Sequence, residues 1–160
     1  MASVPNPLSL FHPGVRAWFE SRYARPTDVQ SRSWPVIMAG RNALITAPTG
    51  SGKTLTAFLA ALDGFATGSL ATGATRVLYL SPLKALNNDI RRNLLEPLAD
   101  LTTTFAARDE HYPGVRVATR SGDTPGDERA RLLRKPPEIL VTTPESLQLM
   151  LTTPRGRQAL

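Results

Sequence analysis

Residues 47–54 (APTGSGKT) combine residue types that together can hold a chain of phosphate groups. Gly50 and Gly52 allow the backbone to approach a ligand closely and to adopt positive φ. Successive N–H groups of such a loop form a concave anion site, which the positive end of a following helix reinforces. Lys53 adds a cation for the β and γ phosphates, and Thr54 offers a hydroxyl to Mg²⁺. The spacing fits the phosphate-loop pattern, with alanine in place of the usual first glycine.

The residues on either side of this loop predict the context in which it would bind a nucleotide. Residues 43–46 are apolar with β-branched members and predict a strand, whereas residues 55–62 predict a helix. A strand, a glycine-rich loop and a helix in this order are the setting of a phosphate loop. The alternative is a Gly/Ser-rich turn ahead of a core helix. The predicted nucleotide-binding residues of the loop are Thr49, Gly50, Ser51, Gly52, Lys53 and Thr54, with ATP and Mg²⁺ as cofactors.

Strands and helices are predicted to alternate along the rest of the chain, which favours an α/β fold with a mostly parallel sheet. Thr27 is predicted to cap a helix that Pro35 breaks in two. Residues 76–81 are apolar enough for a strand buried on both faces, and residues 101–113 are predicted to be irregular. The other predicted elements are strands at 115–119 and 138–142 and helices at 14–23, from Pro82 to about Leu98, between Pro125 and Pro136, and from Pro144 to Met150.

Length and composition set broad limits on what the chain can do. A chain of 160 residues is long enough for one domain with a sizeable core. It contains no cysteine, which excludes disulfides and thiolate metal sites, and its two histidines, His12 and His111, lie far apart. The formal net charge of +6 favours an anionic partner. The sequence shows no secretion signal and no apolar run of membrane-spanning length, so we expect a soluble, cytoplasmic protein without membrane contact.

Gln30 lies seventeen residues ahead of Ala47, at the end of the segment PTDVQ. Its amide has one donor side and one acceptor side, so it can pair with the edge of an adenine ring. The segment resembles the glutamine motif of superfamily 2 helicases, and this resemblance adds Gln30 to the predicted nucleotide-binding residues, with the adenine base as its contact. The alternative is a polar residue that only caps a helix.

Three further segments each combine the end of a predicted strand with small polar residues that start a helix. They are residues 81–89 (SPLKALNND), 120–125 (RSGDTP) and 142–147 (TTPESL), and they resemble nucleic-acid-contacting motifs of the same helicases. Backbone N–H groups, hydroxyls and helix N-termini that share one direction suit a phosphate backbone. Strand ends meet at one edge of a parallel sheet, where ligands bind. Each segment alone could be simple helix capping. The predicted nucleic-acid-binding residues are Lys84, Asn88, Arg120, Thr124 and Thr143.

Taken together, the motifs resemble those of the Lhr, or large helicase-related, proteins over residues 11–151. The resemblance includes Trp18-Phe19 and Trp34-Pro35 as well as the motifs above. It implies a P-loop NTPase with a RecA-like parallel sheet and flanking helices. It also implies an ATP-dependent helicase that translocates 3′ to 5′ on single-stranded DNA, including RNA–DNA hybrids, and that acts in DNA repair.

The family pattern includes a D-E-x-H motif beyond the TTPESL segment, and residues 148–160 do not contain one. Residues 109–112 (DEHY) do not replace it, because they follow no buried strand and their histidine comes one place early. The aspartate that would bind Mg²⁺ and the glutamate that would activate water are therefore missing, so no catalytic residue is predicted. The second RecA-like domain is missing too.

These departures predict the organisation and the activity of the chain. Residues 1–25 are predicted to be a lead-in with a short helix. Residues 26–160 are predicted to be an incomplete first helicase domain, truncated before the acidic motif, and inactive alone because phosphoryl transfer depends on those charges. Two other functions are considered: a non-catalytic module that binds nucleotide or DNA, and a small-molecule P-loop kinase. Three segments suited to a polymer backbone argue against the kinase.

Overall fold

The computed structural model describes residues 6–81 and 90–160 of the chain. The described residues fall into two compact units. The first contains residues 6–69 and 90–112, and the second contains residues 70–81 and 113–160. Within the described ranges, no helix is long and apolar enough to cross a membrane.

The first unit is helical. Its elements are a 3-10 helix at Pro7–Leu10, α1 at Pro13–Arg22, α2 at Asp28–Met38, α3 at Lys53–Ala66, a π-helical turn at Arg91–Leu95 and α4 at Glu96–Ala106. Thr27 caps α2 as predicted, since its hydroxyl accepts the Gln30 N–H while the Gln30 side chain accepts the Thr27 N–H. This reciprocal pair is a capping box, and it satisfies two N–H groups that the helix start leaves open.

Helix α2 runs through Pro35 without a break, so the prediction of two helical pieces was wrong. Proline removes one backbone hydrogen bond, but packing of its neighbour holds the helix together. Trp34 is fully buried, its indole N–H donates to the Thr56 carbonyl over 3.1 Å, and its ring meets those of Phe11 and Phe19 edge to face. Such aromatic burial outweighs the single lost bond.

The prediction that residues 101–113 are irregular was also wrong for the first six of them, which complete α4. Three consecutive threonines hid the helix, because threonine has a low helix propensity. Their hydroxyls donate to carbonyls four residues back instead of disrupting the turn. Leu101 and Phe105 are one helical turn apart and fully buried, so tertiary packing decides the conformation.

Residues 43–46, predicted to be the strand before the phosphate loop, do not form one. Residues 41–48 have no regular structure and pair with no described strand. Leu44 is 96% exposed. A strand needs hydrogen bonds from a neighbouring strand, and the described part of the chain offers none here, so β propensity alone does not fix the conformation.

The second unit contains the predicted parallel sheet. Its strands are β1 at Val77–Leu80, β2 at Val117–Arg120 and β3 at Ile139–Thr142, in the order β1-β3-β2, and both pairings are parallel. Its helices are α5 at Gly126–Arg134, α6 at Pro144–Leu151 and α7 at Pro154–Gln158. The sequence had not indicated α7. The α/β class with a parallel sheet is confirmed.

The position of each strand in the sheet explains its burial. β3 lies in the centre and all four of its residues are buried. β1 lies at an edge and alternates, with Leu78 39% and Leu80 45% exposed, so the prediction that it is buried on both faces was wrong. Its continuous apolar run is typical of a covered strand, but cover depends on neighbours that the run itself does not reveal.

Candidate nucleotide site and nucleic-acid edge

The phosphate loop in the first unit has the backbone that its glycines predict. Gly50 and Gly52 have φ of 81° and 88°, in the left-handed region, and Lys53 begins α3 directly after them. A Cβ placed on Gly52 would lie 2.8 Å from Gln30 Nε2. A side chain at this position would be strained by the backbone conformation, and it would also require the Gln30 amide to shift. The loop thus ends at the N-terminus of a 14-residue helix, where N–H groups face an anion.

Lys53 folds its side chain back over the loop. Its ammonium donates to the Ala47 carbonyl and, over 2.7 Å, to the Pro48 carbonyl. A lysine ammonium has three N–H donors, so one remains for a phosphate oxygen even with both carbonyls bound. The cation is thereby held at the loop before any nucleotide binds.

Gln30 and Thr27 connect α2 to the phosphate loop. The Thr27 hydroxyl donates to the Ser51 carbonyl over 2.9 Å, and Gln30, only 3% exposed, packs against Gly52. Sequence reasoning considered either a cap or a nucleotide contact for Gln30. The structure shows the cap and places the amide beside the loop, while the adenine contact stays a prediction.

The remaining loop residues differ in their exposure. Thr49 is exposed at the tip, whereas Ser51 and Thr54 are half-buried. Ser51 Oγ is buried and has no hydrogen-bond partner among the described residues, so a polar ligand at the loop would satisfy it. No group of three His, Asp or Glu side chains that could hold a metal occurs within residues 6–81 and 90–160. The contact of Mg²⁺ with the Thr54 hydroxyl stays a prediction.

An open cleft of about 720 Å³ is lined by Thr27, Gln30 and five loop residues: Thr49, Gly50, Gly52, Lys53 and Thr54. Besides the loop, its lining includes Tyr23 and Arg25, which sequence reasoning did not assign to a site. Tyr23 also packs on Phe19, with ring centroids 4.8 Å apart. An aromatic and an arginine directly ahead of the capping box were the available signal, since both side chains can stack on a base. The other lining residues are Arg22, Leu55, Arg92, Asn93 and Glu96.

In the second unit, the ends of all three strands lie in register. Thr142 at the end of β3 pairs with Leu80 on one side and with Arg120 on the other. The Thr142 hydroxyl donates to the Arg120 carbonyl over 2.8 Å, and the Ser81 N–H donates to the Thr142 carbonyl over 3.1 Å. The three predicted motifs therefore start together, at the edge of the sheet that the carboxyl-terminal ends of the strands form. Lys84 and Asn88 lie outside the described residues.

The loop after β2 is closely hydrogen-bonded. Thr124 is buried, and its hydroxyl accepts the Ser121 N–H over 2.8 Å, so here it shapes the loop. Arg120 is half-buried, and its Nη1 is enclosed without a hydrogen-bond partner among the described residues. Burial, together with the charge of Arg129, lowers the pKa of the Arg120 guanidinium. An anion beside Arg120 would relieve both effects.

Thr143 caps α6, because its hydroxyl accepts the Ser146 N–H over 3.4 Å. The Glu145 backbone N–H and then the Thr143 hydroxyl hold the pKa of the exposed Glu145 carboxyl below its usual value. Thr143 thus already has local partners, and its contact with nucleic acid stays a prediction. Asp109 of the DEHY segment follows α4, which was not predicted, and it does not follow a buried strand, which agrees with the prediction.

The chain is similar in sequence to a known protein family and to several of its members. A model of the DEAD/DEAH box helicase family matches residues 27–160. The "Lhr helicase/uracil glycosylase" of Escherichia coli (strain K12) is 47% identical, with the match covering 100% of this chain and 11% of that protein. The "ATP-dependent helicase Lhr-Core" of Sulfolobus acidocaldarius is 42% identical, covering 96% of this chain and 17% of that protein.

A solved structure is similar over the same region. The helicase Lhr of Mycobacterium smegmatis, bound to ssDNA and AMP-PNP, superposes with a TM-score of 0.88 at 45% identity. The match covers 96% of this chain and 19% of that one. The chain therefore spans less than a fifth of the length of each of these three proteins.

Proposed function

Because the chain belongs to the DEAD/DEAH box helicase family, with an Lhr-type RecA-like fold, we propose that it binds ATP and single-stranded nucleic acid within an ATP-dependent helicase. The observation that carries the proposal is the phosphate loop. Two glycines at positive φ lead into Lys53 and α3, and the Thr27–Gln30 capping box is fastened to the same loop. The similar Lhr structure contains AMP-PNP, an ATP analogue, which supports ATP as the nucleotide.

The nucleic-acid partner is proposed from the edge where the three strands end. That edge presents Arg120 and the helix start at Thr143, and the chain carries a net charge of +6. The similar Lhr structure contains ssDNA, which supports single-stranded DNA as the partner. Translocation from 3′ to 5′, action on RNA–DNA hybrids and a role in DNA repair are the proposals that the Lhr resemblance adds.

The 160 residues bind ATP in this proposal but do not hydrolyse it unaided. Catalysis of phosphoryl transfer depends on positioned charges, and the chain contains no D-E-x-H motif to supply them. Hydrolysis and unwinding would then require that motif and a second RecA-like domain. Family membership weighs against a small-molecule kinase.

Replacing Lys53 with alanine tests the nucleotide site. The ammonium that would meet the phosphates is lost, and a hydrogen bond to a charged group contributes about 1.5–3 kcal/mol, so ATP affinity should fall about ten- to a hundredfold. Binding of a fluorescent ATP analogue with Mg²⁺ measures it. Lys135→Ala removes an exposed lysine after α5 and serves as the control. Equal affinity in parent, Lys53→Ala and Lys135→Ala would refute the site.

A further inference from the structure

We propose that Arg129 is a positioning residue that fixes residues 121–124 in the shape in which this loop meets a nucleic-acid phosphate. The inference rests on the proposed function, because it assigns no new ligand to this edge of the sheet. Arg129 Nε donates to the Thr124 carbonyl over 2.6 Å, and its Nη2 donates to the Gly122 carbonyl over 2.6 Å. One guanidinium thus holds two carbonyls of the same loop.

Both ends of this connection are fixed. The Arg129 backbone belongs to α5, where its N–H donates to the Pro125 carbonyl over 2.9 Å, and the side chain extends back to the loop. At the other end of the loop, the Ser121 N–H donates to the Thr124 hydroxyl, and the Thr124 N–H donates to the Ser121 carbonyl over 3.3 Å. Helix α5 therefore dictates the orientation of the loop through Arg129.

The orientation of one peptide plane shows what this achieves. Because a peptide is planar and trans, turning the Gly122 carbonyl toward Arg129 turns the Asp123 N–H the opposite way. That N–H donates to Ser121 Oγ over 3.3 Å, a long contact at the exposed side of the loop. A phosphate oxygen is a stronger acceptor for it than a neutral hydroxyl. Gly122 leaves space for the approach, since a Cβ there would meet no described atom within 4 Å.

The two arginines of this edge have different tasks. Arg129 uses Nε and Nη2 on carbonyls, whereas Arg120 Nη1 is enclosed without a partner among the described residues. Arg120 is therefore the cation for the phosphate, and Arg129 shapes the loop beside it. Lysine could not replace Arg129, because two carbonyls at fixed positions need the planar fork of a guanidinium, whereas an ammonium acts as a point charge.

This difference between arginine and lysine gives the test. Arg129→Lys keeps the charge and loses the fork, and Arg129→Gln loses both. Arg131→Gln removes an exposed charge from the same helix, where the side chain makes a 3.8 Å ion pair with Glu128, and serves as the matched control. Affinity for a fluorescent oligo-dT is measured by anisotropy at constant salt. Amide hydrogen exchange of residues 121–124 is measured without DNA.

We expect Arg129→Lys and Arg129→Gln to weaken binding alike, on the order of tenfold, as loss of one ionic hydrogen bond would. Both should speed exchange in the loop, and Arg131→Gln should do neither. Parental affinity in Arg129→Lys would overturn the proposal in favour of a direct charge contact. Unchanged exchange in Arg129→Gln would overturn it too. If the parent chain did not bind oligo-dT, the proposed nucleic-acid function itself would be refuted. The amide exchange rates of residues 121–124 in the parent and in Arg129→Gln would still decide whether Arg129 holds the loop.

Discussion

Replacing Glu138 with glutamine tests how the three strands are kept in register. Glu138 precedes β3, is 2% exposed and accepts four hydrogen bonds. One comes from the Gly73 N–H, ahead of β1, and three come from the backbone and side chain of Arg116, ahead of β2. A single carboxylate thus joins the segments that lead into all three strands.

The surroundings of Glu138 indicate how much its carboxylate contributes to the folding free energy. Burial alone would raise the pKa of the Glu138 carboxyl, but hydrogen bonds from the Arg116 side chain and from the Gly73 and Arg116 N–H groups outweigh burial and hold the pKa at about 2 instead of 4.5. At about 1.4 kcal/mol per pKa unit, this difference corresponds to about 3 kcal/mol of folding free energy. Because the folded-state pKa is the lower one, the stabilisation is complete above pH 4.5 and is lost as the pH falls toward 2.

Urea unfolding at several pH values between 7 and 3 measures the effect. At pH 7 we expect Glu138→Gln to lower the free energy of unfolding by about 3 kcal/mol, and the difference from the parent should shrink below pH 4.5. Glu128→Gln is the control, because Glu128 is half-exposed and its ion pair with Arg131 spans 3.8 Å, a geometry worth about 0–1 kcal/mol. If Glu138→Gln lowered the free energy of unfolding by the same amount from pH 7 to pH 3, the ionised Glu138 carboxylate would not be the source of the stabilisation.

Two further predictions concern the candidate sites. Gln30→Glu keeps a side-chain acceptor for the Thr27 N–H, so thermal stability should be unchanged, but it removes the amide donor and should reduce the preference for ATP over GTP. Competition between the two nucleotides measures this, and an unchanged preference would mean that Gln30 is only a cap. Oligo-dT binding should weaken as salt rises, with a log–log slope of about −0.7 per phosphate contact, and Arg120→Gln should make the slope shallower. A slope near zero in the parent would count against phosphate contacts.

Local chemistry made part of this structure predictable. The capping box at Thr27 and Gln30, the positive φ of Gly50 and Gly52 and the start of α3 at Lys53 depend on residues close together in sequence. Parallel strands followed from alternation with helices, and their shared edge followed from that. What each strand packs against did not, because burial depends on distant neighbours, and so the exposure of β1 and the absence of a strand at residues 43–46 were missed.

Helix α4 was also missed because distant contacts decide its conformation. Threonine propensity favoured irregular structure, yet Leu101 and Phe105 are buried and Trp18 Nε1 donates to Asp100 Oδ2 over 3.3 Å. Contacts to α1, more than eighty residues earlier in sequence, decide the conformation. Arg129 was missed for a similar reason. It lies in a basic helix, and nothing in its spacing separates a side chain that binds loop carbonyls from one that faces solvent.

Two arginines flank β2, Arg116 before it and Arg129 after it, and they differ in the groups that accept their hydrogen bonds. Before the strand, Arg116 meets the Glu138 carboxylate, and the pair contributes mainly to stability. After the strand, Arg129 donates to two neutral carbonyls, and its charge contributes to lowering the pKa of the Arg120 guanidinium. Two guanidinium groups close together repel each other, and a phosphate bound beside them would reduce that repulsion. β2 is therefore preceded by an arginine that is paired with a carboxylate, and it is followed by a loop beside which two guanidinium groups lie close together, at the place where the phosphate contact is proposed.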